Sequence, residues 1–265
     1  MSFHYDVLVI EDEKVVIDSV KKILIPEGFT VDETFDVESA LLNLKKNKYK
    51  LILTDLMLPK ISGLKLIEIV NEKYPDIPII MITGYATLEI AVQSLKLGAF
   101  DFIPKPFAFA ELLGVVHRAI KLVEVRKSSD SIAEFRKQSH PQHHIDNKSE
   151  HYYFLGKHIW TKLDQNGSAK VGVDETFSKT IGEIHQIDFP SVNEIISQGN
   201  PLARIYTNEN FMHTIWAPLS GKVIENNQEV EKVNTLIDKN SLFHGWLVCM
   251  IPTNLEEELQ NLILC

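Results

Sequence analysis

Tyr49-Lys50-Leu51-Ile52-Leu53-Thr54-Asp55 is the stretch whose reading decides the fold. Leu51 to Leu53 is an uninterrupted apolar run of strand length, the pattern of a central parallel strand covered on both faces. Charge arrives only at the end of the run. Open α/β sheets bind ligands at the carboxyl ends of their strands, so Asp55 stands where chemistry is expected. Leu56-Met57-Leu58-Pro59 follows at once, and Gly63 comes after a short gap.

Outward from this run, strand and helix patterns alternate with short connections. Val7 to Ile10 reads as a buried strand, and Val15, Val16, Ile17, Val20, Ile23 and Leu24 recur at helical spacing until Pro26-Glu27-Gly28. A strand near Phe29 to Thr34 and a helix around Ala40 to Leu44 precede the Leu51 strand. A helix from about Ser62 to Tyr74, a strand at Ile77 to Thr83, a helix at about Leu88 to Leu97 and a short strand Asp101 to Pro104 follow it. An amphipathic run from about Ala110 to Val125 closes the unit. Five strands alternating with five helices predict a doubly wound, flavodoxin-like parallel sheet.

The polar strand ends then gather at one edge: Glu11 and Asp12 after the first strand, Asp55 after the third, Thr83 after the fourth, Lys105 after the fifth. Each type has a task in phosphoryl transfer. Clustered carboxylates supply hard oxygen ligands for Mg²⁺. Lys105 offsets charge on a transferred phosphoryl group, the Thr83 hydroxyl donates to one of its oxygens, and Asp55 is the nucleophile that forms an acyl phosphate. Acidic first-turn residues complementing a helix dipole account for one of Glu11, Asp12 and Glu13, but not for Asp55 or Lys105.

Residues 5–125 resemble a response-regulator receiver domain. The likeness rests on Glu11-Asp12, Asp55-Leu-Met-Leu-Pro59 with Gly63, Thr83-Gly84-Tyr85-Ala86, Gly98-Ala99-Phe100-Asp101 and Lys105-Pro106-Phe107. It implies Mg²⁺ held by Asp12, Asp55 and the Met57 carbonyl, with Glu11 reaching it through water. It also implies a phosphodonor histidine on a sensor kinase, a cis Lys105-Pro106 bond, and Phe102 at the position of an aromatic switch that moves with Thr83.

Past Ser128-Ser129-Asp130-Ser131 the chain turns polar as far as Glu150, a stretch read as a linker; its three histidines, His140, His143 and His144, straddle Pro141 without carboxylate or cysteine company. The expected division is a receiver domain over residues 1–127, a linker over 128–150 and a second domain over 151–265. In that second domain short β patterns dominate. His158 to Asp164 and Ala169 to Val173 flank an Asn166-Gly167 turn, a brief helix covers Glu175 to Ile181, and strands are expected at Glu183 to Phe189, Leu202 to Tyr206, Met212 to Trp216, Lys222 to Glu225 and Gly245 to Ile251, before a helix from about Asn254 to Leu264.

This half resembles the glycine-cleavage H protein, a lipoyl-type sandwich of β-strands. The residues that carry the likeness are His158-Ile-Trp160, Gly172-Val-Asp174, Ile181-Gly-Glu-Ile184, Ala217-Pro-Leu-Ser-Gly221 and Gly245-Trp246-Leu247. In that family a lysine at a hairpin tip carries lipoic acid; counting back from Ala217-Pro218, its place holds Asn210, and no lysine lies between Arg204 and Lys222. An asparagine amide nitrogen is not a nucleophile, so no lipoate is expected there. One reading keeps the second half as an interaction module that answers to phosphorylation of Asp55. The other makes the protein a phospho-regulated lipoyl carrier modified at another lysine, such as Lys222 or Lys232.

Composition bounds the rest. The formal charge is −9, and residues 151–265 hold 8 basic against 14 acidic residues, which argues against DNA binding. No run approaches the roughly 18 to 20 apolar residues of a membrane span, and Val7 to Ile10 runs directly into Glu11-Asp12-Glu13, so a cytoplasmic protein is expected. Cys249 and Cys265 are too few for a disulfide framework. The expected protein is a phosphoacceptor whose only catalysis is its own phosphorylation, with a sensor histidine kinase and an unknown downstream protein as partners. Homodimerisation stays open.

Overall fold

The computed structural model describes residues 4–85, 87–129, 151–232 and 245–264. The first half is a five-stranded parallel sheet in the order β2-β1-β3-β4-β5. Its strands are β1 (His4–Ile10), β2 (Val31–Thr34), β3 (Lys48–Thr54), β4 (Ile79–Thr83) and β5 (Asp101–Pro104), joined by α1 (Lys14–Leu24), α2 (Val37–Lys46), α3 (Gly63–Lys73) and α4 (Leu88–Lys96) and closed by α5 (Phe109–Ser129). Successive residues of a strand point to opposite faces, so Val7 and Val9 pack with α1 and α5 while Leu8 and Ile10 pack with α2 and α3. This is why the central runs are apolar without alternation. Caps fix several helix starts: Asp36 accepts from the Ser39 amide at 2.8 Å, and Asp174 does the same for Phe177 at 2.8 Å.

The second half holds two antiparallel sheets, one ordered β10-β13-β14-β8-β7-β6-β15 and one ordered β12-β11-β9. The strands are β6 (Tyr152–Leu155), β7 (Ile159–Leu163), β8 (Ala169–Val173), β9 (Ile184–Asp188), β10 (Ile195–Ile196), β11 (Pro201–Thr207), β12 (Met212–Trp216), β13 (Gly221–Asn226), β14 (Trp246–Pro252) and β15 (Ile263–Leu264). Helices α6 (Glu175–Ile181) and α7 (Gln228–Lys232) lie between strands. Gly172 is required by a close approach: a Cβ there would meet the Trp160 ring at 2.4 Å. The Trp160 indole donates to the Val173 carbonyl at 2.9 Å.

Two local expectations are corrected. Ser128 and Ser129 continue α5 instead of breaking it, while the remainder of the expected linker, with its three histidines, lies outside the described residues. The expected C-terminal helix stops early: α8 (Leu255–Glu258) gives way to a 3₁₀ turn over Leu259–Asn261, and Ile263 and Leu264 pair with Phe154 and Tyr153. Edge pairing there outweighs the helical spacing of the leucines. Finally β6, β10 and α7 carried no anticipated pattern of their own.

The two halves share a core. One apolar cluster runs from Ala91, Val92 and Leu95 of α4 through Phe102 into Leu155, Ile159 and Trp216. Beside it the Arg118 guanidinium, 2% exposed, pairs with Asp101 and lies 4.5 Å from the ring centroids of both Phe100 and Phe177. The Trp216 indole donates to Asp101 at 3.2 Å, Thr214 bonds Glu111 at 3.2 Å, and Phe211 stacks on His117 with centroids 4.6 Å apart. Gly114 lets β12 press on α5, because a Cβ at that position would meet the Met212 carbonyl oxygen at 2.7 Å.

Candidate functional site

Sheet register brings the polar strand ends together. Ile10 lies opposite Thr54, so Glu11 and Asp55 emerge side by side, and the Asp55 amide donates to the Ile10 carbonyl at 3.0 Å. Thr83 lies opposite Pro104, which sets Lys105 next in line, and the Lys105 amide donates to the Thr83 carbonyl at 2.9 Å. The Lys105-Pro106 bond is cis.

The Lys105 ammonium joins two carboxylates, Glu11 Oε2 at 2.5 Å and Asp55 Oδ1 at 3.0 Å. Both acids are buried, Glu11 at 3% exposure and Asp55 at 5%. The second Asp55 oxygen accepts the Met57 amide at 2.5 Å. Burial pushes the Glu11 carboxyl above its usual range, and this outweighs the downward pull of Lys105. Burial works against the Lys105 ammonium as well, but its bonds to Glu11 and Asp55 raise it. The mutual pairing keeps Lys105 charged.

Thr83 is fully buried, and its hydroxyl oxygen accepts the Tyr85 amide at 3.2 Å, leaving the hydroxyl hydrogen for another acceptor. Asp12 and Met57 are exposed at the rim. Gly63 belongs to the site by packing: a Cβ there would meet the Asp55 carbonyl oxygen at 2.1 Å, so any side chain would displace the backbone that holds Asp55. Phe102, 3% exposed, is removed from this cluster and lies edge-on to Trp216 with centroids 5.7 Å apart. Asn210 occupies the exposed β11–β12 tip with φ of 61°.

The donor set suits a hard cation. Glu11, Asp12 and Asp55 outnumber the one ammonium among them, and a phosphoryl dianion would add to the imbalance. Among the described residues there is no cage of three or more acidic, histidine or cysteine side chains. Mg²⁺ rarely needs one, since it usually takes one or two carboxylates and keeps several waters. Among the described residues, no helix is long and apolar enough to cross a membrane.

The junction residues Arg118, Trp216, His213 and Gly114 were not singled out in the sequence. The available signal was in α5, where Leu112, Leu113, Val115, Val116, Ala119, Ile120, Leu122 and Val123 are all buried. The run expected to be amphipathic is thus covered on more than one face, by the parallel sheet and by β12 and α6.

The response regulator receiver domain model matches residues 7–117, and the glycine cleavage H-protein model matches residues 152–264. Nitrogen assimilation regulatory protein NtrX of Azorhizobium caulinodans is 33% identical over 125 residues, 46% of this chain and 28% of that protein. Transcriptional regulatory protein DltR of Streptococcus agalactiae is 41% identical over 106 residues, 40% of this chain and 47% of that protein. The chain thus spans less than half the length of either relative. The crystal structure of the receiver domain of NtrX from Brucella abortus is similar at 36% identity and a TM-score of 0.43, over 44% of this chain and 98% of that one. The five-stranded parallel sheet with its acidic strand ends and the antiparallel second half thus carry names: residues 7–117 form a response-regulator receiver domain and residues 152–264 a glycine-cleavage H-protein domain.

Proposed function

We propose that the protein is a two-component response regulator in which Asp55 accepts a phosphoryl group from a histidine of a sensor kinase. The observation that carries this reading is the Lys105 ammonium held between Glu11 and Asp55 at the strand ends. An Asp55 oxygen attacks phosphorus in line, the bond from phosphorus to the donor imidazole breaks, and the imidazole nitrogen keeps that electron pair and is reprotonated from solvent. Lys105 shifts toward the transferred oxygens, and Thr83 donates its hydroxyl hydrogen to one of them. Asp12, Asp55 and the Met57 carbonyl would hold Mg²⁺, with Glu11 acting through water. When bound, the ion offsets the repulsion between Asp55 and the incoming dianion.

The H-protein half serves as the output element without lipoate, since position 210 is asparagine. It sits directly on the elements that follow the site, with Trp216 against Phe102 and Asp101.

Two measurements test the reading. Phosphorylation by acetyl phosphate is expected to stop when Mg²⁺ is chelated and to slow by roughly 10²–10³ in Lys105→Met, the usual cost of removing one charge-stabilising donor; a rate indifferent to both refutes the assigned chemistry. Beryllofluoride is expected to alter hydrogen-exchange protection of the Trp216 indole N–H. Identical protection with and without it removes the second half from the output role.

A further inference from the structure

His213 is 1% exposed on β12 and faces the receiver, with its Cε1 3.1 Å from where a Gly114 Cβ would lie. Among the described residues neither ring nitrogen has a hydrogen-bond partner, and both are buried. The titratable groups on the elements packed against this ring are already engaged or carry positive charge. On α5, Arg118 is itself a cation, Glu111 is engaged by Thr214, and His117 stacks on Phe211. On β5, Asp101 is engaged by Arg118 and Trp216. From α6, Phe177 lies edge-on at 6.0 Å, and its capping residue Asp174 is bonded to the Phe177 amide and to His158. On β11, Ile205 is directly opposite, flanked by Arg204 and Tyr206.

We infer that the junction between the two halves is a proton-sensitive docking surface, on which the second half seats against α5 only while His213 is uncharged. A protonated ring would stand in an apolar pocket beside Arg118 with no unengaged anion among the described residues to meet it. Separation of the halves would free both nitrogens to water. Burial, with Arg118 adding to it, lowers the docked ring to about 3 from an ordinary 6.5. The His213 contribution to docking is therefore fully present well above about pH 6.5, and the docking equilibrium weakens about tenfold per unit as pH falls below that value. His117, lowered by burial, acts in the same direction; Glu111, raised by burial, acts in the opposite one.

The Trp216 indole N–H reads this equilibrium, because its bond to Asp101 crosses the junction. In the full chain its exchange protection, referred to a tryptophan model compound at each pH, is expected to fall about tenfold between pH 7.5 and 5.5. His213→Leu is expected to abolish most of that dependence while Trp216 stays protected. A ring-resonance titration of the unaltered chain gives an independent check, with the His213 signal expected to remain neutral at pH 5.5. Protection that is flat with pH, an equal slope in His213→Leu, or a His213 ring titrating near 6.5 in the docked chain would each overturn the inference. The inference does not depend on Asp55 being a phosphoacceptor.

Discussion

In an Asp55→Asn chain, acetyl phosphate and Mg²⁺ leave the intact mass unchanged, whereas the unaltered chain gains one phosphoryl increment that hydroxylamine removes. The substitution is nearly isosteric. The asparagine oxygen still accepts the Met57 amide, and Lys105 keeps Glu11 as its partner, so the fold is expected to survive. What disappears is the nucleophile, since a neutral amide lacks the charge of a carboxylate and delocalises its nitrogen lone pair. Circular dichroism matching that of the unaltered chain separates lost chemistry from lost structure. If Asp55→Asn labels as well as the unaltered chain, the acceptor is another residue.

The second large effect is expected at the junction. Arg118→Ala should cost roughly 3–5 kcal/mol, the usual penalty for breaking a buried pair by removing one partner. Asp101 would then remain buried, with the Trp216 indole and the Phe102 amide as donors but no cation. The rings of Phe100 and Phe177 would lose the guanidinium between them. By contrast, Lys65→Ala breaks an exposed pair with Glu68 and should leave the urea midpoint essentially unchanged. Urea midpoints at constant slope compare the two, and adding Asp101→Asn to Arg118→Ala should recover part of the loss. A loss below about 1 kcal/mol for Arg118→Ala would mean that the pair is not buried in solution.

The first half was legible because its chemistry interrupts its hydrophobicity. Asp55 and Lys105 stand directly after their strands and Thr83 ends its own, and parallel strands in register carry such residues to one edge. The cofactor side was less legible, since Asp12 and Met57 lie at the rim, where composition says little about coordination. In the second half, Leu255, Leu259 and Leu262 have helical spacing, yet Ile263 and Leu264 complete a sheet edge on β6. That pairing depends on a strand more than 100 residues earlier, and no local pattern encodes it. The junction was hidden for a related reason. Periodicity in α5 shows which positions are covered, but Gly114 and Arg118 are covered by β12 and α6, nearly 60 or more residues downstream.

The separation along the chain between Asp55 and Lys105 also has a bearing on biosynthesis. They are 50 residues apart, so at about 5–20 residues per second the ammonium leaves the ribosome roughly 2.5 to 10 s after the carboxylate it accompanies. Glu11 waits longer still, being 94 residues ahead of Lys105. A nascent chain therefore passes through an interval with two acids and no counter-charge, and β5 has to be synthesised before the edge of the sheet is electrically balanced.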